Sequence, residues 1–289
     1  MRATQPSAGS ECFGPVQSRR LFQSDFYEIK RWEINLTPQR GRGEGYNDCF
    51  CLLFVHSGRL AVELAAQPYE LYTGHVVVEK TDYAYKLRPT SAVCSIFNFS
   101  AAFYEQFIEE YGLRHSSFFA NPNLLTLSLT TSPAIDYLHH QIVHTLRQAS
   151  QLEMDCLVIQ LVRQVVERVE NRPLAELTAP PVKSFRLATI EQAKLYLNSR
   201  FNENISLVDL AGHCCVSPFH LSRLFKECTG YSPHQYLLTV RLTHAEQLLR
   251  QPALTVADVC YASGFNSPEH FAAAFQHKNH LSATQYRKQ

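Results

Sequence analysis

"SLVDLAGHCCVSPFHLSRLFKECTGYSPHQY" spans Ser206–Tyr236, and "TVADVCYASGFNSPEHFAAAFQHKNHLSATQY" spans Thr255–Tyr286. The second stretch repeats the first at a period of about fifty residues. One extra residue, Asn266, precedes its Ser-Pro pair. Asp209 matches Asp258, Ser217-Pro218 matches Ser267-Pro268, Phe225 matches Phe275 and Tyr236 matches Tyr286. Two copies of one supersecondary unit are implied.

Each copy has the pattern of a helix-turn-helix. A short helix ("LVDLAGHC", "VADVCYA") meets a turn, which holds Gly264 in the second copy. Ser217 and Ser267 then offer N-cap hydroxyls, and Pro218 and Pro268 take the first helical position, where a missing N–H costs nothing. In the first copy Leu221, Leu224, Phe225 and Cys228 recur at i, i+3, i+4, i+7 and face the core. The opposite stripe is Phe219, Ser222, Arg223 and Lys226. That stripe suits a DNA major groove: Arg donates twice to guanine, Ser bonds base or phosphate, Phe packs on a thymine methyl, and Lys226 meets phosphate. A solvated helix face with two ordinary cations is the alternative for this helix taken alone. The second copy is poorer. Ser267 and the helix N-terminus suit a phosphate, Glu269 a cytosine amine, and Ala272 and Ala273 thymine methyls, while Gln276 stands where the first copy has Lys226. Between the copies, "SPHQYLLTVRLTHAEQLLR" (Ser232–Arg250) predicts a connecting helix, which at ~1.5 Å per residue is roughly 28 Å long. A rod of that length lets two recognition helices enter successive major grooves, about 34 Å apart.

At these residues segment 185–289 resembles the DNA-binding domain of AraC/XylS-type bacterial transcription regulators. The resemblance covers about a third of the chain and includes both motifs at family spacing. It implies a seven-helix domain that binds double-stranded promoter DNA, with Phe219, Ser222 and Arg223 at base-reading positions and Glu269, Ala272 and Ala273 as their counterparts. It further implies RNA polymerase as a partner, no cofactor, no enzymatic activity and a cytoplasmic location. Two departures stand out: His280 and Ala283 replace the Gly and Pro with which the family usually ends its second motif.

The rest of the 289 residues agrees with a regulator built in two parts. Hydrophobic residues make up 45% of the chain, and its longest apolar runs, such as "CFCLLFV" (Cys49–Val55), are too short to span a bilayer. No signal-peptide core is visible at the start, and nine Cys at irregular spacing point to reduced thiols. From Lys183 onward 11 Lys and Arg stand against 7 Asp and Glu, whereas residues 1–182 hold 16 against 19. The sign of that asymmetry suits a C-terminal half that meets an anion.

"NRPLAELTAPPVKS" (Asn171–Ser184), with three Pro, predicts a linker. Before it, residues 26–100 read as strands: "CFCLLFV", a turn at "HSGR", then "LAVELAA", "YELYTGHVVVEK" and "SAVCSIFNFS". Helices follow from Ala101, near Pro133–Gln148 and near Leu152–Glu170. The last places Leu152, Cys156, Ile159, Val162 or Arg163, and Val166 near one face, widened by Leu161, Val165 and Val169. Such a stripe is either core, or half core and half dimer contact. Strands followed by helices resemble the cupin-like sensor barrel and helical hairpin of the same family. The expected fold is therefore α+β, a cupin-like β-barrel with a helical hairpin followed by an all-α seven-helix domain with two helix-turn-helix motifs. The expected boundaries are a flexible arm at 1–20, a sensor and dimerisation domain at 21–172, a linker at 173–184 and the DNA-binding domain at 185–289.

For a small organic effector, Phe50, Leu52, Phe54, Tyr83, Tyr85, Cys94 and Phe97 are candidate pocket residues, with plain core as the alternative. Lys86 and Arg88 alternate on one strand and suit a carboxylate clamp, or a charged strand edge. His56 and His75 stand without an H-x-H pair, which argues against a metal-dependent cupin. Cys49, Cys51, Cys214 and Cys215 offer a second function, a redox- or metal-responsive regulator, although Cys is also a common buried residue.

Overall fold

A computed structural model of the chain describes residues 12–13, 16–37, 43–64, 67–146, 148–171 and 187–288. The linker expected at 173–184 and most of the arm expected at 1–20 lie outside these residues. The chain divides into two compact units. One comprises Met1–Thr130, Leu146–Met154 and Val165–Phe185, the other Thr131–Thr145, Asp155–Gln164 and Arg186–Gln289. The class is α+β.

The first unit is a large antiparallel sheet of β1 (Cys12–Phe13), β2 (Val16–Gln23), β3 (Tyr27–Leu36), β4 (Gly43–Asn47), β5 (Phe50–Leu64), β6 (Gln67–Tyr72), β7 (His75–Glu79), β8 (Tyr83–Leu87), β9 (Thr90–Phe99) and β10 (Thr126–Thr130). Strand pairing follows the order β1-β2-β3-β9-β5-β7-β10, with β4 on β8 and both β6 and β8 on β5. Among the described residues this path does not return on itself, so the pairing leaves the expected barrel unclosed. Residues 16–20 of the expected arm belong to β2 and are paired with β3, and Cys12 and Phe13 are paired with β2.

Two elements differ from the sequence reading. The "HSGR" turn is absent, because β5 runs through it as one 15-residue strand. Its register against β9 shifts between Val55 and Ser57, and pairing resumes at Ser57↔Val93. A bulge bends the strand while its neighbour holds both halves. Gly58 makes the bend feasible: its φ is +78°, and a Cβ there would meet the Ser91 carbonyl oxygen. The second difference is β10, which pairs with β7 from Thr126↔Glu79 to Thr130↔His75. Its Leu127 and Leu129 are buried at the period of two that a half-covered strand requires.

That same period separates the sheet into two faces. Phe50, Leu52 and Phe54 alternate with Cys51, Leu53 and Val55 along β5. Phe50 stacks with Tyr104 of helix α1 (Ala101–Glu110) at 4.8 Å and meets Phe99 at 5.5 Å. The opposite face gathers Cys51, Leu53, Val55, Val77, Tyr83, Leu87, Cys94 and Ile96, with Trp32 and Tyr85 packed against them. Each fully buried large side chain contributes roughly 1.5–3 kcal/mol on either face.

The second unit holds α2 (Pro133–Thr145), the middle of α3 (Gln151–Glu170), and α4 (Leu187–Ser199), α5 (Leu207–His213), α6 (Pro218–Thr229), α7 (Pro233–Leu249), α8 (Val256–Ala262), α9 (Pro268–Asn279) and α10 (Ala283–Tyr286). Helix α2 precedes the predicted linker in sequence yet packs here. Tyr137 is fully buried in the same core as Leu197, Leu221, Phe225 and Val240. Its hydroxyl lies 2.6 Å from His244 Nδ1. Lys194, nearly inaccessible, meets Asp136 at 2.9 Å and Glu191 at 3.0 Å. A boundary at 173–184 therefore does not describe the compact units, because buried charge and packing hold α2 with the later helices.

Along α3, Met154, Val158, Leu161, Val162, Val165, Val166 and Val169 are buried. Leu152, Cys156, Ile159 and Arg163 form an exposed stripe at i, i+4, i+7, i+11. Leu152 and Ile159 thus lie outside the core that the other face of α3 enters.

Candidate nucleic-acid interface

The two sequence repeats fold as two matched modules around one shared helix. Helix α7 gives Tyr236, Leu237 and Val240 to one core and Leu242, Ala245 and Leu249 to the next. It is apolar on more than one side because it serves both. Phe225 meets Tyr236 edge-on at 5.3 Å and 88°, and Phe275 meets Tyr286 at 5.4 Å and 86°. The matched aromatic positions are thus the hinge of each core.

The matched Asp residues, whose role the sequence left unstated, are helix caps. Ser206 accepts from the Asp209 N–H, and Asp209 returns the favour to the Ser206 backbone and hydroxyl. Thr255 and Asp258 repeat this capping box at α8. These hydrogen bonds hold both carboxyls below the usual Asp range. Boxes at Ser232–Gln235 and Ser282–Gln285 start α7 and α10 in the same way. The signal was an S/T-x-x-D/Q spacing present twice over.

The turn of each helix-turn-helix needs a left-handed residue. Gly264 supplies it in the second copy with φ +81°, and Cys215 does so in the first with φ +54°. Only glycine fits the second site, since a Cβ there would sit 2.7 Å from Asn202 Cα. Past the second helix of each motif the chain again turns left-handed, at Gly230 (φ +78°) and at His280 (φ +57°). His280 thus occupies a glycine conformation. Ala283 opens α10 where Pro233 opens α7.

The outward faces of α6 and α9 differ in charge. On α6, Ser217 caps by accepting from His220 N–H at 3.3 Å. Phe219 is 91% exposed, Arg223 and Lys226 are exposed, and Ser222 is half-buried. Arg223 Nε lies 3.8 Å from Glu227, a loose surface pair that leaves the guanidinium available. On α9, Glu269, Ala272, Ala273 and Gln276 are all exposed, so the predicted stripe is outward. The Glu269 carboxylate accepts from the Ser267 hydroxyl at 2.6 Å, which holds it below the usual carboxylate range. Lys278, the one cation of α9, turns to α7, pairing with Glu246 at 2.9 Å and donating to Thr243 at 3.1 Å. The base-reading stripe of α9 therefore carries a negative charge and no positive one.

The predicted pocket residues of the first unit do not form one set. Phe50, Leu52, Phe54 and Phe97 lie on the face shared with the α1 aromatics, where Phe54 meets Phe97 at 5.8 Å. Tyr83, Tyr85 and Cys94 belong to the other face. A one-residue step along a strand reverses a side chain, so no single cavity takes both groups. Lys86 and Arg88 are exposed and paired across strands, with Glu44 at 3.2 Å and Glu63 at 2.7 Å. Lys86, Tyr85 and Gly45 line an open cleft of about 550 Å³ together with Glu44, Tyr46, Glu63 and Ala84. Of the thiols named for sensing, burial pushes Cys49 up to about 12 and raises Cys51 and Cys214 as well, while Cys215 is exposed. Such a rise is the reverse of what a reactive thiol requires.

Two helix-turn-helix modules strung on one helix, the first presenting exposed cations, define this unit as a DNA-binding module. Residues 210–289 match a family model described as "Helix-turn-helix domain". The C-terminal part of this chain therefore matches a helix-turn-helix domain and is similar to that of HTH-type transcriptional regulators. Among curated proteins, the chain is 28% identical over 137 residues to the lactose operon transcription activator of Staphylococcus xylosus, covering 46% of this chain and 47% of that protein. It is 39% identical over 90 residues to the HTH-type transcriptional regulator GlxA of Rhizobium meliloti, covering 31% and 26%. It is 33% identical over 87 residues to the HTH-type transcriptional regulator ArgR of Pseudomonas aeruginosa, covering 30% and 26%. The chain thus spans less than half the length of each of these relatives. Among solved structures, it resembles the C-terminal domain of AraT, a response regulator from Geobacillus stearothermophilus, at 27% identity over 36% of this chain and 88% of that one, with a TM-score of 0.35.

Proposed function

We propose that this chain is a sequence-specific DNA-binding transcription regulator that activates promoters, with the first unit responding to a small organic effector. The single observation that carries it is the pair of matched helices α6 and α9 on the shared α7, the first with Phe219, Arg223 and Lys226 exposed together. Arg223 reads guanine, Phe219 packs on a thymine methyl, Ser222 bonds base or phosphate, and Lys226 neutralises phosphate. Helix α9 positions the second module with weaker sequence preference, through Ala272, Ala273 and Gln276. In this reading double-stranded promoter DNA and RNA polymerase are the partners, no catalysis is involved, and the protein works in the cytoplasm. Among the described residues no helix is long and apolar enough to cross a membrane.

The first unit is read as a cupin-like sensor, supported by its large antiparallel sheet and by the family of the second unit. Dimerisation is assigned to α3, where Leu152 is 73% and Ile159 49% exposed. The test is binding of the full chain to its own upstream region against random DNA across a salt series. Specific binding that weakens steeply with salt is expected. Equal affinity for both DNAs would refute the reading.

A further inference from the structure

One carboxylate beside the sheet face opposite α1 lacks a counter-charge. Glu79, the last residue of β7, is in register with Cys51 of β5, whose thiol donates to it at 3.0 Å. Tyr83 and Tyr85 from β8 and Cys94 from β9 lie within electrostatic range of the same carboxylate. Many of the described cations of the unit are engaged elsewhere. Lys30 and Arg20 pair with Glu28, Lys80 donates to the Asn121 carbonyl, and Arg59, Lys86 and Arg88 pair with Glu70, Glu44 and Glu63. Among the described residues no Lys, Arg or His forms an ion pair with Glu79. Burial therefore raises its carboxyl above the ordinary range.

One polar hydrogen in the same core is also unspent, that of Trp32. Tyr83 is 6% exposed, and its hydroxyl is directed at the Glu79 carboxylate. The indole N–H of Trp32 is buried without an acceptor, and its ring packs against the cluster that holds Cys51, Tyr83 and Cys94. Native cores seldom carry such groups unless function retains them. A metal ion does not answer this chemistry, since among the described residues no group of three or more His, Cys, Asp or Glu is placed to hold one. A carboxylate flanked by aromatic rings suits an organic cation, which gains both charge pairing and attraction to the ring faces.

We propose that this face of the sheet binds a small organic ammonium compound, its cationic nitrogen held by Glu79 between Tyr83 and Tyr85, with an oxygen on the same molecule accepting from Trp32. The proposal rests on the effector reading above and names the chemical class of the effector. A cation on Glu79 favours its ionised form, so binding releases a proton and tightens as pH rises through the carboxyl's raised range.

Trp32 is the only tryptophan in the chain, so its emission reports on this core directly. The full chain is titrated with ethanolamine, choline and putrescine, and with 3,3-dimethylbutan-1-ol, the neutral isostere of choline. Emission, Tm and promoter binding are followed together. An ammonium compound is expected to shift emission and raise Tm, binding about tenfold or more tightly than the isostere. Glu79→Gln should abolish the preference for the cation. Tyr83→Phe, which keeps the ring and removes only the hydroxyl, should retain the fold and weaken binding several-fold. No response to any ammonium compound, or an equal response from the isostere or from Glu79→Gln, overturns the proposal. A neutral or anionic compound that alters promoter binding while the ammonium compounds do nothing overturns it and leaves the effector reading standing. Ammonium binding at Trp32 with promoter binding unchanged supports the site and removes the effector reading.

Discussion

The Ser267 hydroxyl donates to the Glu269 carboxylate at 2.6 Å, and the same oxygen accepts the His270 N–H at 3.3 Å. The N-terminus of α9 is thereby closed on itself by its own side chains. The positive end of the helix is offset by a charge that α6 lacks, since the first turn of α6 has no acidic residue.

Glu269→Gln should therefore strengthen promoter binding by roughly 2–5-fold at low salt, and the gain should shrink as salt screens the carboxylate. Fluorescence anisotropy with a labelled promoter duplex measures this. Weaker binding by the variant would show instead that Glu269 accepts from a cytosine.

On α6 the direction is the opposite. Arg223→Ala should cost about 1–3 kcal/mol of specific binding and relax preference at one base pair. Lys226→Ala should weaken all sequences alike and reduce the salt slope by about one. Ala272→Ser and Ala273→Ser should do much less, and equal losses from the two helices would remove the division of labour.

Backbone conformation makes a stability prediction. His280 holds φ +57° where its counterpart is Gly230, and a left-handed non-glycine residue costs roughly 1–2 kcal/mol. His280→Gly should raise Tm by a few degrees. Gly264→Ala should lower it by more, because its Cβ would strike Asn202 Cα and the Phe201 carbonyl. Thermal denaturation of the full-length variants decides both.

The Lys194 ammonium is buried between Asp136 and Glu191, and Asp136 also accepts from the Tyr236 hydroxyl at 3.2 Å. Removing one partner strands the other, so Lys194→Ala should destabilise the second unit by about 3–5 kcal/mol. Lys194→Ala combined with Asp136→Asn should cost less than the sum of the two single changes in denaturant titrations. Strict additivity would mean that the pair is not coupled.

Acid should loosen the same unit. Burial pushes His244 and His140 down to about 4. The unfolded chain takes up these protons near pH 6.5, ahead of the native state, so stability is full above 6.5 and falls as pH drops towards 4. Replacing His244 by Phe should flatten part of the Tm against pH curve. An unchanged slope would place the acid sensitivity elsewhere.

The sequence by itself determined the local grammar of the second unit. Repeat period, Ser-Pro helix starts, capping spacings and the outward stripe of α6 are all written within a few residues of where they act. Glycine's turn at Gly264 was legible for the same reason. Tertiary structure decided whatever depends on distant neighbours. Strand β5 continues through "HSGR" because β9 holds both sides of the bulge, and β10 joins the sheet because β7 offers an edge. Phe50 and Tyr83 face opposite ways because the pleat, not residue type, assigns sides. Lys278 is a strut to Glu246 because α7 lies beside α9. Helix α2 joins the later helices through a charge pair, Asp136 with Lys194, that no spacing along the chain could announce.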